Sequence, residues 1–226
     1  PDTKTMTYEV EVTNPATAIT ITPPTKTEYE HGDTLDFTGG KIEVTYSDGT
    51  TQTKQITSNM IKESNGSSVN MAPTASDYVN NEVSKTLVIK YKENNVTGTV
   101  NYPIKIKNVV NKIAMSTDPT NTTYNIGDTS YNLAGGAIKV TRKAGNTETV
   151  ALTDQGITLT NLSTLTTNKG TKPVTVTYEG KTTTFNITIK NGVKNINITT
   201  PTKTEYEHGD TLDFTGGKIE VTYADN

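Results

Sequence analysis

Residues 24–46 read PTKTEYEHGDTLDFTGGKIEVTY, and the same 23 residues return unchanged at 201–223, an offset of 177 positions. An unchanged recurrence of that length marks a repeat architecture, which governs every more local reading. The same offset aligns KTMTYEVEVTN at 4–14 with KTTTFNITIKN at 181–191. Between the two copies lies a divergent third. Pro119, Thr120, Thr122, Tyr124, Gly127, Asp128 and Thr129, then Gly135, Gly136, Ile138, Val140 and Thr141, match Pro24 to Thr45 in order. The spacings from Tyr29 to Tyr124 and from Tyr124 to Tyr206 are 95 and 82 residues, so an A-type module alternates with a B-type module. Residues 1–14 read as the last strand of a preceding B-type module. Residues 18–108 read as a complete A, 112–190 as a complete B, and 195–226 as the first strands of a further, truncated A. The linkers between them, 14–18, 108–112 and 191–195, each open on asparagine.

Each module reads as an antiparallel sandwich. Ile42-Glu43-Val44-Thr45-Tyr46, Val174-Thr175-Val176-Thr177-Tyr178 and Phe185-Asn186-Ile187-Thr188-Ile189 alternate apolar and polar residues. A period of two puts one set on a buried face and the other in water. Helix signals are absent. Ser47-Asp48-Gly49 and Glu179-Gly180 stand between such runs as short hairpin turns. Short strands punctuated by turns about every ten residues are the pattern of a sandwich.

Composition agrees once the repeat is seen. Of 226 residues 48 are threonine, 31% are hydrophobic and the mean hydropathy is −0.55. Threonine is β-branched and suits a pleated strand, while its hydroxyl keeps the outer face wet. With no cysteine there is no disulfide, thiol nucleophile or cysteine-type zinc site. His31 and His208 are the only imidazoles, too few for a Ser-His-Asp triad or a histidine-rich metal centre. A net charge of −3 without a basic stripe argues against nucleic acid. No apolar run is long enough to span a membrane. No catalytic residues and no cofactor are expected.

The run P-T-K-T-x-Y-x-x-G-D, then T-G-G-x-I-x-V-T-Y-x-D-G-T, and later V-T-V-T-Y-x-G-K-x-x-x-F-x-I-x-I at 174–189, resembles the bacterial immunoglobulin-like domain, group 3. The first half is carried by all three copies and the second half best by 173–189. The A module departs from the pattern at Tyr91–Gly98, where the short hairpin is not evident. The resemblance implies an all-β fold of tandem Ig-like antiparallel β-sandwiches in an extended array. It also implies a place outside the cell, in bacterial surface proteins of low-GC Gram-positive organisms, and a non-enzymatic stalk or adhesive role.

Candidate sites follow from repeat positions. Gly32, Gly127 and Gly209 each precede an aspartate, Asp33, Asp128 and Asp210, expected to fix a turn by bonding its own downstream backbone. Gly39-Gly40 and Gly135-Gly136 precede a strand, as a bulge or sharp entry into the sheet. His31 is replaced by Ile126 in the B module, which a ligand role would not permit. Glu28, Glu30, Asp33 and Asp36 are the one acidic set that offers calcium oxygen donors. The B module has Thr123, Asn125, Asp128 and Tyr131 there, a poor set, so no metal is expected. A Lys–Asn isopeptide tie would need both side chains buried beside a carboxylate, and composition alone does not single one out.

Residues 58–84 form the longest stretch without alternation. Long loops on rigid scaffolds often carry binding, and Met60, Met71 and Tyr78 are its candidate contacts, with a crossover strand that packs Met60, Ile61 and Met71 inward as the competing reading. The expected function is a structural spacer whose partners are neighbouring Ig-like repeats. The alternatives are an adhesin that binds a host surface protein or glycan through 58–84, and a self-assembling component that binds copies of itself.

Overall fold

The alternating runs become strands whose apolar faces are buried against each other. A computed structural model describes residues 3–224. By internal contacts it divides into two units, one running to Val109 and including Lys143–Asn146, the other holding Val110–Arg142 and the residues from Thr147 onward.

In the first unit the strands are β1 (Ala16–Thr22), β2 (Glu28–Glu30), β3 (Lys41–Tyr46), β4 (Thr51–Lys54), β5 (Ile61–Glu63), β6 (Glu82–Glu93) and β7 (Val96–Lys107). One sheet has the order β1-β3-β4 and the other β2-β7-β6-β5. The short β2 runs parallel to β7, with Tyr29 opposite Ile106, and the other pairings are antiparallel. Alternation decides which side chains enter the core. Ile42 and Val44 of β3 are wholly buried, as are Leu87 and Ile89 of β6 and Ile106 of β7. Each such side chain contributes about 1.5–3 kcal/mol by leaving water. Strand β1 passes so close to β7 that a Cβ on Gly98 would stand 2.5 Å from the Ile19 side chain, which is why that strand position carries glycine.

The second unit repeats the plan with β8 (Val110–Thr117), β9 (Thr123–Asn125), β10 (Ala137–Arg142), β11 (Thr147–Ala151), β12 (Thr158–Leu159), β13 (Gly170–Tyr178) and β14 (Lys181–Lys190). Its sheets are β8-β10-β11 and β9-β14-β13-β12. Ile138, Val140, Val174, Val176 and Ile187 form the middle of its core. Past it, β15 (Val193–Thr199) and β16 (Lys218–Tyr223) pair antiparallel. Ile219 and Val221, the counterparts of the buried Ile42 and Val44, are 67% and 40% exposed, because among the described residues no second sheet faces them.

Five features differ from the sequence reading. Helix is not wholly absent: α1 (Leu162–Leu165) is a single turn, capped by Asn161, whose Oδ1 accepts from the Ser163 N–H at 3.1 Å. It forms because Leu162 is drawn into the core. Second, the A-type module does have a tight final hairpin. Glu93 pairs with Val96 across Asn94-Asn95, and all twelve residues of β6 pair with β7. Asn94 takes a φ of +52°, which asparagine tolerates better than most residues, so the turn is legible only as conformation.

Third, the first strands begin at Ala16, Val110 and Val193, two residues earlier than expected, and the linkers shorten to match. Fourth, the strand expected over 1–14 does not form among the described residues 3–14, and Met6, Tyr8, Val10 and Val12 are exposed. The counterparts of Tyr8, Val10 and Val12, namely Phe185, Ile187 and Ile189, are buried because β13 and β9 flank them. Finally, 58–84 is neither one loop nor one crossover strand but a loop broken by short elements. It contains 3-10 turns at Ser58–Met60 and Ala75–Asp77 and strand β5, and it closes on a left-handed pair, Asn80 and Asn81.

Candidate functional site

The Tyr, Gly-Asp and Gly-Gly positions build one corner three times. Tyr29 is buried, and its hydroxyl donates to the Lys26 carbonyl at 3.1 Å while accepting from the Asp36 N–H at 3.3 Å. Tyr124 does the same with the Asn121 carbonyl and the Asn132 N–H, and Tyr206 with Lys203 and Asp213. In the first unit the Tyr29 hydroxyl also meets that of Tyr102 at 2.8 Å, and Tyr102 donates to the Lys26 carbonyl. Burial, and then Tyr29 itself, push the Tyr102 hydroxyl well above the usual phenol range. The corner therefore holds a loop to the core through a neutral hydroxyl hub.

The aspartates act in the direction opposite to the expected one. Asp33 Oδ2 accepts from the Glu30 N–H at 2.9 Å, three residues upstream, and the Asp33 N–H returns to the Glu30 carbonyl. Asp128 and Asp210 do likewise with Asn125 and Glu207. Gly32, Gly127 and Gly209 adopt φ of +83°, +92° and +95°, which the reversal requires.

The glycine pairs have divided duties. Gly39 and Gly135 take left-handed φ. Gly40 and Gly136 have no room for a side chain, since an added Cβ would lie 2.8 Å from Ile56 and 2.7 Å from Leu152. The Gly40 N–H closes a turn onto the Phe37 carbonyl, so the entry into β3 is a turn.

The acidic set is already engaged. Glu28 meets Lys107 at 2.8 Å, and that ammonium holds its carboxyl below the usual range. Glu30 meets Lys143 at 2.6 Å. Asp36 accepts from the Thr38 hydroxyl and N–H, which lower it. Among the described residues no cluster of three or more His, Cys, Asp or Glu has metal-holding geometry.

In the 58–84 segment, Met60, Met71 and Tyr78 are half-buried and pack against the core. The Tyr78 hydroxyl meets His31 Nδ1 at 2.9 Å. A shallow recess of about 440 Å³ lies beside the segment, lined by Leu35, Phe37, Val69, Met71 and polar neighbours.

Two polar clasps close the sandwiches where β3 and β10 end. In the first unit Glu93 of β6 accepts from Tyr46 at 2.7 Å, from Tyr91 at 2.7 Å and from Lys54 at 2.5 Å. Lys54 first, then the two hydroxyls, push the Glu93 carboxyl down to about 2. In the second, Arg142 is 5% exposed. It forks onto Glu179 at 3.1 and 3.2 Å, and meets Glu148 at 2.7 Å. Burial alone would make that guanidinium easier to deprotonate, but Glu179 and Glu148 outweigh it.

Residues 117–189 match the model of the bacterial Ig-like domain (group 3). Over these residues the chain is similar to that domain. Two solved structures are also similar. One is of surface layer protein SbsC, domains 1–6, with 15% identity and a TM-score of 0.26, covering 82% of this chain and 29% of that one. The other is the crystal structure of the S-layer protein rSbsC, with 11% identity and a TM-score of 0.26, covering 92% and 36%. The chain thus spans about a third of those proteins' length. No curated protein sequence matches it.

Group 3 Ig-like domains are generally non-enzymatic surface modules. Within 117–189 the groups with perturbed proton affinity are Tyr131 and Tyr178, which pack against the core, Arg142 of the clasp, and Lys143, which pairs with Glu30. Sequence reasoning missed the clasp residues, Arg142 and Glu179 in this segment and Tyr46, Lys54 and Glu93 in the first unit. The available signal was that Tyr46 and Arg142 share a repeat position at the end of a strand.

Proposed function

We propose that the chain is a non-enzymatic structural spacer, a run of Ig-like modules in a bacterial cell-surface protein. Modules occupy 18–108 and 112–190, and portions of further modules occupy 1–14 and 195–226. The observation that carries this reading is the 177-residue period, expressed as seven-stranded sandwiches with separate cores and linkers of about two residues. The partners are neighbouring repeats in the same chain. Rotary-shadowed electron microscopy and sedimentation of the full-length protein test it. Single slender rods with a high frictional ratio are expected. Compact particles or ordered polymers would replace the spacer reading, the polymers in favour of self-assembly.

A second reading, an adhesin, is supported by the recess beside 58–84, whose lining combines Leu35, Phe37, Val69 and Met71. Replacing Val69 by Ser, at the recess rim, is then expected to weaken capture of host protein or glycan on arrays. Capture that is absent from the parent, or unchanged in the variant, removes this reading.

A further inference from the structure

Asparagine follows the last strand at Asn108 and Asn191 and holds the matching repeat position at Asn14, and the bonds of Asn14 and Asn108 recur. Asn14 Oδ1 accepts from the Asp48 N–H at 3.2 Å and from the Ser47 hydroxyl at 2.9 Å, while the Pro15 carbonyl accepts from the Ser47 N–H at 3.0 Å. Asn108 Oδ1 accepts from the Ala144 N–H at 2.9 Å, and the Val109 carbonyl accepts from the Lys143 N–H at 3.0 Å. In both places the bonded amides are those of the first two residues after β3 or β10. At the third place the Gly192 carbonyl accepts from the Ala224 N–H at 2.9 Å, and Asn191 again stands just before it.

The hairpins so held differ in sequence: Ser47-Asp48-Gly49 in one, Lys143-Ala144-Gly145 in another. What is shared is backbone N–H, which a side-chain amide oxygen reads regardless of the hairpin's side chains. Asparagine suits the position for three reasons. Its oxygen accepts without bringing a charge, its one-methylene reach fits, and its NH₂ remains free to donate. Asn108 uses that donor on Asn146 Oδ1 at 2.6 Å and is only 1% exposed, a setting in which an unmade bond is costly.

We propose that this asparagine is a linker latch, a positioning residue that fastens the short linker to the β3–β4 or β10–β11 hairpin of the module the linker opens. The linker residues are then held by two adjacent bonds, one from the side chain and one from the next carbonyl. The latch rests on these bonds and not on the spacer reading, so either can fail alone.

Amide exchange and ¹⁵N relaxation on the whole 226-residue chain test it. Asn108→Ala is expected to speed exchange of the Ala144 amide by about tenfold, the worth of one hydrogen bond, and to raise fast motion at Val109. Asn14 is exposed, so Asn14→Ala leaves the cores alone and is expected to release the Asp48 amide selectively. Unchanged exchange at both amides overturns the latch. So does a loss in Asn108→Ala that is as large across β13 and β14 as at Ala144, since that marks general destabilisation.

Discussion

The Tyr46 hydroxyl of β3 donates to the Glu93 carboxylate of β6 at 2.7 Å, and it thereby ties the rim of one sheet to the rim of the other. Packing between sheets is apolar and non-directional, so it resists separation more than sliding. A hydrogen bond across the rim is directional and fixes the offset. Arg142 holds the position of Tyr46 in the second unit and spans from β10 to Glu179 at the β13–β14 turn. The two modules therefore close the same rim with different chemistry.

The Glu93 clasp predicts a pH signature. Its carboxyl is lowered from 4.5 to about 2 in the folded protein. A lowered folded-state pKa stabilises above the unfolded value, and that contribution disappears as pH falls from about 4.5 through 2. Urea denaturation at pH 7 should find Glu93→Gln less stable than the parent by about 1 kcal/mol, the scale of a partly exposed ion pair. At pH 2 the two proteins should be nearly equal. A difference that does not shrink on acidification would refute the assignment.

Arg142 predicts an asymmetry among substitutions. It forks onto Glu179 and also reaches Glu148, whereas lysine offers a single ammonium. Arg142→Lys should cost about 1–2 kcal/mol, discounted because both glutamates are 44% exposed. Glu148→Gln alone should cost less. Hydrogen exchange should place the loss in β13 and β14 and leave β6 and β7 unchanged.

The second glycine of each pair predicts a steric penalty. Gly40→Ala would set a Cβ 2.8 Å from Ile56 and 3.1 Å from Pro24, and Gly136→Ala would set one 2.7 Å from Leu152 and 3.0 Å from Pro119. Each should destabilise by about 1–3 kcal/mol through overpacking. Gly49→Ala meets nothing within 4 Å but has a φ of +82°, so about 1 kcal/mol of backbone strain is expected there. Chemical denaturation of the three variants should rank Gly49→Ala mildest.

Calcium should leave the melting temperature unchanged. Glu28 and Glu30 are paired with Lys107 and Lys143, Asp33 with the Glu30 amide, and Asp36 with Thr38. Calcium needs six or more oxygens turned toward one point. A dose-dependent upward shift in calorimetry, reversed by chelation, would contradict this expectation.

Local pattern made much of the fold legible. The 177-residue period, the inward face of Ile42 and Val44, the hairpin at Glu179-Gly180 and the need for glycine at 32, 127 and 209 are all properties of short stretches. Period-two side-chain geometry and backbone φ are decided within a few residues. The candidate loop was harder: Met60, Met71 and Tyr78 are apolar enough for a binding surface or for a core, and only the approach of His31 and the packed core places them.

What the sequence alone determined was the repeat, the all-β class and the turn positions, because each depends on neighbours along the chain. The tertiary structure alone decided the partner of Glu93, the reach of Arg142, the length of the β6–β7 hairpin and the bonds of Asn14 and Asn108. Tyr46 and Glu93, Arg142 and Glu179, Asn14 and Ser47, and Asn108 and Ala144 lie 33 to 47 residues apart in chain order, and many side chains of the same type are present. Only sheet packing brings one of them within about 3 Å, where hydrogen bonds act.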